Sequence, residues 1–354
     1  MKGYFSRFDL TLVVPMFLLL AFSLLMISST STSLAIQQLI FVVLGVSLFF
    51  VLSQIDYQYF KSFAVLFYGL SLLTLMVLPF IGEEIRGSTR WMELGFFRFQ
   101  PSEVSKLSLI LVLSTFFSTH KLSLKNFGIS VMLVAPVFFL VLRQPDLGNA
   151  IIIIFIYLFI LFAAGSSPVL LFLLVSVTIL LLPILFIFLA PYQKARILTF
   201  LDPTHDPLGT GYSVIQSQIA IGSGQIFGRG FGRGPQSDLA FLPERQTDFI
   251  FATLSEQLGL LGAAILITLF IILLVHILDI AKVTRDSFAT YIAIGVFGWF
   301  FIQVAVNIGM NLGIFPVTGI TLPLISYGGS SLISFVLGLS ILSSVARFQR
   351  IKYP

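Results

Sequence analysis

Apolar stretches long enough to cross a bilayer recur along nearly the whole of this chain, and that recurrence limits its fold more than any other feature. A spanning helix needs about 20 mostly apolar residues to cross a hydrocarbon core of roughly 30 Å. Read by hydropathy, the candidate spans fall near residues 10–28, 34–52, 62–81, 103–118, 127–142, 147–164, 168–190, 254–278, 288–312 and 329–346. The runs are continuous rather than alternating, so a closed β-barrel is excluded and helices remain as the way to satisfy the backbone in lipid. Hydrophobic residues make up 57% of the chain and charged residues 10%, where a soluble domain carries about 25% charge to cover its surface. The expectation is an all-α integral membrane protein of about ten transmembrane helices. It forms a single polytopic domain over residues 1–354, with a large extracytoplasmic loop between spans seven and eight.

Charge sets the expected orientation. An even number of spans puts both termini on one side, and Lys2, Arg7, Lys61, Lys121, Lys125, Lys282, Arg285, Arg347, Arg350 and Lys352 gather there. By the positive-inside rule that side is the cytoplasm, and the net charge of +5 follows from this rule rather than from any affinity for nucleic acid. Of the 15 acids, Asp9, Asp56, Asp279 and Asp286 fall inside and the rest lie in or beside outer segments. Two outer segments, about 82–102 and 191–253, are long and rich in Gly, Pro and charge, and loops of that length are uncommon unless functional or disordered. Their aromatics and paired charges argue for function, so any chemistry lies on the outer face. The chain has no cysteine, and its three histidines (His120, His205, His276) are scattered, so neither disulfides nor a zinc site is expected. The first apolar run is followed by nine more and reads as a signal anchor.

Four constellations carry possible chemistry. Pro243-Glu244-Arg245-Gln246-Thr247-Asp248 leads into span eight, with Glu256 about two turns later. A carboxylate there sits beside the lipid boundary at a helix N-terminus, as a fixed ionised acceptor suited to a general base, or it merely caps the helix. Arg86-Gly-Ser-Thr-Arg90-Trp91 is followed by Arg98-Phe-Gln100-Pro101-Ser102-Glu103 and by Lys106 inside span four. Glu103 and Lys106 share a helix face at i,i+3, either as an ion pair locking span four to a neighbour or as the lining of a polar cavity. The stretch 222–234, with Arg229 and Arg233 among six glycines, reads as a flexible re-entrant loop or as a holder of a lipid head-group phosphate. Finally, residues 307–331 break an apolar region with two prolines and several glycines, and include Ser326 and Ser330. Irregular backbone at membrane depth is tolerated where it is buried or lines a cavity, in enzymes and transporters alike. Gln144-Pro145-Asp146 opens span six much as Gln100-Pro101-Ser102-Glu103 opens span four.

Together RGSTRW, FQPSEVSKL, QPDLG, GTGYSVIQSQIAIGSGQ, FLPERQTDFIFATLSEQLG and GMNLGIFPVTGITLPLISYGGSSL resemble the SEDS family (shape, elongation, division and sporulation), over about residues 86–331. The LPER form of the loop and FLDPTHDPLGTGY upstream are similar to its elongation branch. Gln246 departs from the histidine that the family usually has before Thr-Asp. The resemblance implies a ten-span C-type glycosyltransferase in the bacterial cytoplasmic membrane that polymerises lipid II into peptidoglycan. It implies a divalent cation (Mg²⁺ or Mn²⁺) and no organic cofactor. It also implies a class B penicillin-binding protein as partner, alongside other membrane proteins of the elongation machinery. Carried over by motif, Asp248 is the essential acid and Glu103 with Lys106 the polar pair.

The catalytic expectation is therefore Asp248, Glu103 and Lys106. Arg90, Trp91, Arg98, Asp146, Arg229, Arg233, Glu244, Arg245, Ser326 and Ser330 are the candidate substrate-binding residues. Forming a β-1,4 link from an α-linked donor inverts one centre, so a single displacement with one base suffices. Two other readings stand beside the enzyme: a lipid II flippase, and a non-catalytic scaffold for the penicillin-binding protein. A flippase would gather charge deep in its core or on both faces, whereas here charge gathers on one.

Overall fold

The computed structural model describes residues 9–85, 88–95, 97–188, 191–202, 211–239 and 241–352. Among them each of the ten expected spans falls on a helix: α1 (Leu10–Thr30), α2 (Thr32–Leu52), α3 (Gln58–Ile81), α4 (Pro101–Thr119), α5 (Leu124–Arg143), α6 (Leu147–Ala163) and α7 (Pro168–Phe188) precede the large loop. That loop carries α8 (Pro191–Leu201), α9 (Tyr212–Gly224) and the single turn α10 (Pro235–Asp238), and α11 (Ile250–Val283), α12 (Ser287–Asn311) and α13 (Gly329–Lys352) follow it. Seven of these helices are long and apolar enough by themselves to cross a membrane. The chain is a multi-pass membrane protein. Of the other three, α6 is 17 residues long, and the described apolar part of α7 is short. α4 is diluted by Glu103, Lys106 and five serines, all of which except Ser118 are buried. Its polar groups face protein rather than lipid, which is how a spanning helix tolerates them.

Capping residues mark where the helices begin. Asp9 accepts from Thr11 N at the start of α1, Ser31 from Leu34 N at α2, Ser123 from Asn126 N at α5 and Asp286 from Phe288 N at α12. Each satisfies an N–H that has no partner within its helix. Pro101 stands in the first turn of α4, where its missing N–H costs nothing.

Helix α12 forms the centre of the bundle, packed against α4, α6 and α11, while α13 lies along α2 and α1 along α11. Trp299 of α12 is wholly buried and stacks on Phe335 of α13 with ring centroids 4.5 Å apart. Large apolar side chains such as Phe80, Leu124 and Phe172 point outward, as a lipid-facing surface requires.

The segment after α3, expected to be outer, is a small antiparallel sheet of order β1-β2-β3, formed by Glu83–Ile85, Ser88–Leu94 and Phe97–Phe99. Trp91 pairs with Glu83, and Glu93 with Arg98. Hydropathy gave no hint of these strands. Helix α11 is longer than the expected span and bends at Gly259, whose φ is 67°. A Cβ there would collide with Gly228 N and Ile226 O, so only glycine fits this bend. The bend lets the Gly/Arg stretch lie directly on the helix, with Arg229 N and Gly230 N donating to Glu256 O and Gln257 O at 2.9 and 3.1 Å.

Candidate active site

One cavity of about 1380 Å³ opens where the N-terminal ends of α2, α4, α6, α11 and α13 and the C-terminal end of α12 meet. Alternating threading puts all six ends on the same side, the one expected to be outer. The cavity wall holds Asp248, Glu103, Arg90, Trp91, Arg98 and Glu244 from the sequence-derived set. Apolar wall comes from Phe41, Phe200, Phe315 and Val317, so a charged head and an apolar tail find matching surfaces side by side.

Asp248 stands just before α11, whose N-cap position falls on Phe249 with no side-chain cap. Its place is fixed through its backbone. Asn307 Nδ2 and Asn311 Nδ2, one turn apart on α12, both donate to Asp248 O, at 3.1 and 3.0 Å. Asn307 also donates to Ile320 O at 2.8 Å, and Asn311 Oδ1 accepts from Ala252 N at 3.1 Å. The two buried amides thus tie the start of α11 to the broken segment after α12. Thr247 is held separately, its hydroxyl donating to Glu244 Oε2 at 3.1 Å.

Glu103 and Lys106 do form an ion pair, with Nζ 2.7 Å from Glu103 Oε1. Lys106 is wholly buried, and its ammonium also donates to Asn149 Oδ1 at 2.8 Å and Gln303 Oε1 at 3.1 Å. Three acceptors use all three N–H groups of an ammonium. Glu103, by contrast, is one of the cavity-lining residues, and its second oxygen, Oε2, is buried and without a hydrogen-bond partner. A carboxylate oxygen left in that condition is costly to bury unless a ligand or water donates to it. Asp146 lies behind this pair, accepting from Asn149 N and Asn149 Nδ2, and does not reach the cavity wall.

The remaining sequence-derived residues are placed apart from the cavity. Ser326 Oγ donates to Thr247 O at 2.6 Å and accepts from Leu322 N, while Ser330 Oγ donates to Arg98 O at 2.9 Å and accepts from Gln100 N. Both serines stitch backbone segments that do line the wall. Arg245 reaches Ser237 O. Arg229 and Arg233 lie on the Gly/Arg stretch beside α11 and are absent from the wall; its glycines serve close backbone packing at the bend. Arg86 lies outside the described residues.

Three residues at the site escaped the sequence reading: Asn149, Gln303 and Arg196. Gln303 Nε2 donates to Thr321 O at 3.1 Å while its Oε1 receives Lys106 and Trp299 Nε1. A signal for it existed. Gln303, Asn307 and Asn311 repeat at i,i+4 on an otherwise apolar span, which draws one polar stripe along α12.

Among the described residues, seven helices able to cross a membrane and three further helices at expected spans surround a charge-lined cavity, which defines a polytopic membrane protein. The family model for FtsW, RodA and SpoVE, described as "Cell cycle protein", matches residues 3–351, and the chain belongs to that family. It is 40% identical over 343 residues to the peptidoglycan glycosyltransferase MrdB of Escherichia coli K12, covering 95% of this chain and 93% of that one. It is 36% identical over 359 residues to the stage V sporulation protein E of Bacillus subtilis, covering 97% and 98%. Its fold is similar to a chain of a peptidoglycan synthase complex that coordinates polymerization and crosslinking, with 32% identity, a TM-score of 0.83 and 98% of each chain covered. The rod shape determining protein RodA of Thermus thermophilus superposes with a TM-score of 0.74 at 28% identity, over 97% of each chain.

Proposed function

We propose that the chain is a peptidoglycan glycosyltransferase of cell elongation that polymerises lipid II at the outer face of the bacterial cytoplasmic membrane, with both termini in the cytoplasm. The observation that carries this reading is Asp248 on the wall of a large cavity that is polar on one part and apolar on another. Its main chain is pinned by two buried asparagines. A general base needs such fixity, because its contribution, typically ~10²- to 10⁴-fold, depends on meeting one proton in one place.

In this reaction the 4-hydroxyl of the acceptor sugar attacks the anomeric carbon of the donor as Asp248 takes the hydroxyl proton. The bond from that carbon to the diphosphate breaks, the diphosphate leaves with the electron pair, and the centre inverts once. Glu103, a carboxylate residue on the wall whose Oε2 has no partner, receives a donor group of the substrate. Lys106 acts behind it by holding the Glu103 carboxylate in place through its 2.7 Å contact. Trp91 and the neighbouring apolar wall take the sugar face and the prenyl chain.

A divalent cation belongs to the same proposal. Among the described residues no group of three or more His, Cys, Asp or Glu side chains could hold one. The wall nevertheless suits Mg²⁺, which commonly binds through one or two carboxylates plus substrate phosphates; Asp248 and Glu244 are the carboxylates offered. Bound there, the cation would neutralise charge on the diphosphate. The synthase complex containing the similar chain couples polymerization to crosslinking, and we assign this chain a class B penicillin-binding protein as its crosslinking partner.

The test uses purified protein with and without that partner, labelled lipid II and Mg²⁺, with products resolved by size. Wild type is expected to make glycan polymer and Asp248→Asn none, at equal folding. Normal polymerisation by Asp248→Asn would remove the base. Transfer of lipid II across vesicles without polymer, even with the partner present, would favour a flippase.

A further inference from the structure

A base accounts for the attacking side of such a reaction, and a divalent cation on the diphosphate still leaves the question of which cationic side chain of the protein faces the leaving charge. Three cationic side chains line the cavity: Arg90, Arg98 and Arg196. Lys106 has its three N–H groups taken up. Arg90 directs its guanidinium at the carbonyls of Gln144 and Pro145. Arg98 pairs with Glu93 at 3.1 Å, and both side chains are well exposed.

Arg196 comes from α8, the short helix of the large outer loop, and its Nη1 donates to Val317 O at 3.3 Å in the broken segment after α12. Gly319 shows what this contact achieves. The point its Cβ would occupy lies 3.4 Å from Arg196 Nη1 and 3.6 Å from Asp248 Oδ2. The guanidinium and the carboxylate therefore lie within contact distance of the same point beside Gly319, and both residues line the cavity. Gly319 has a φ of +74°, a conformation that glycine adopts without strain, and any side chain there would occupy that point.

We propose that Arg196 is a further catalytic residue, whose guanidinium binds the diphosphate of the lipid-linked donor beside Gly319, on the same cavity wall as Asp248. The proposal rests on the glycosyltransferase reading above and adds the group that faces the leaving charge. When the bond between the anomeric carbon and the diphosphate oxygen breaks, its electron pair stays on that oxygen. The planar fork of N–H donors receives that charge, and the guanidinium itself stays protonated throughout. The proton of the attacking hydroxyl goes to Asp248. Holding the acid and the cation in place beside one glycine puts the proton acceptor and the group that receives the leaving charge on the same wall, so neither must be brought in during the reaction.

The experiment compares full-length wild type with Arg196→Ala, Arg196→Gln and Arg196→Lys. It measures equilibrium binding of undecaprenyl diphosphate and of undecaprenol, the same chain without phosphate, together with the initial rate on lipid II. Arg196→Gln keeps a polar stem without the charge and Arg196→Lys keeps charge and reach, so the two together test charge even if the alanine variant folds poorly. The expected result is diphosphate affinity lowered at least about tenfold in the glutamine variant, unchanged affinity for undecaprenol, and polymerisation slowed by about 10²- to 10³-fold. Arg196→Lys should retain more of both. Wild-type diphosphate binding by Arg196→Gln would overturn the proposal, and so would equal losses for both ligands, which would reduce Arg196 to a prop for Val317. If Asp248→Asn polymerised normally while Arg196→Gln lost diphosphate binding, the base assignment would fall and this one would stand.

Discussion

Lys106 is wholly buried, and its carboxylate partner Glu103 also faces the cavity. Removing a buried ammonium leaves the carboxylate uncompensated, which costs on the order of 3–5 kcal/mol. Lys106→Met should therefore lower the melting temperature sharply, and pairing it with Glu103→Gln should restore much of the loss, as a double-mutant cycle in detergent would record. Additive losses would mean that the pair is not coupled. The i,i+3 spacing made this pair legible in the sequence. Asn149 and Gln303, which complete the ammonium's shell, were hidden because each is distant in sequence from Lys106 and neither polar residue names its partner. Arg196 was hidden for the same reason: Gly319 and Asp248 meet it only once the outer loop folds back onto the bundle.

At the scale of elements, hydropathy placed each of its ten expected spans on a helix, seven of them long and apolar enough by themselves to cross a membrane, because a span must be apolar over a fixed length in lipid. It could not find the β1-β2-β3 sheet, whose strands of 3, 7 and 3 residues are too short for a clear alternating pattern. Nor could it find the bend in α11, which depends on the contact of Gly259 with Gly228 rather than on composition. The bend carries a testable cost. Gly259→Ala forces a side chain into a positive-φ position, a strain on the order of 1–3 kcal/mol before any collision with Ile226 and Gly228 is counted. A clear drop in melting temperature is expected. Gly69→Ala on α3, with nothing within 4 Å of the new methyl group, should be neutral or slightly stabilising. Equal behaviour of the two variants would show that the bend is not held by Gly259.

Across the whole molecule, function and orientation follow from the same asymmetry. Five spanning helices present their N-termini toward the cavity, and the positive ends of their dipoles favour an anionic head group there. At the opposite ends the connections are short, with Lys121 and Arg285 in them and Lys61, Lys125, Lys282 and Arg347 toward the adjoining helix ends, the pattern expected of a cytoplasmic face. A lipid-linked donor made inside and used outside needs this arrangement, so the orientation of the chain bears on its chemistry. The sequence contains no cysteine, which permits a direct check without a prior cysteine-free background. Leu239→Cys, on an exposed position of the outer loop, should react with a membrane-impermeant maleimide in intact spheroplasts. Lys121→Cys, exposed between α4 and α5, should react only after the membrane is opened. The reverse pattern would place the cavity in the cytoplasm and turn Asp248 and Arg196 away from any outer substrate. That outcome would defeat the polymerase reading even if lipid II were bound.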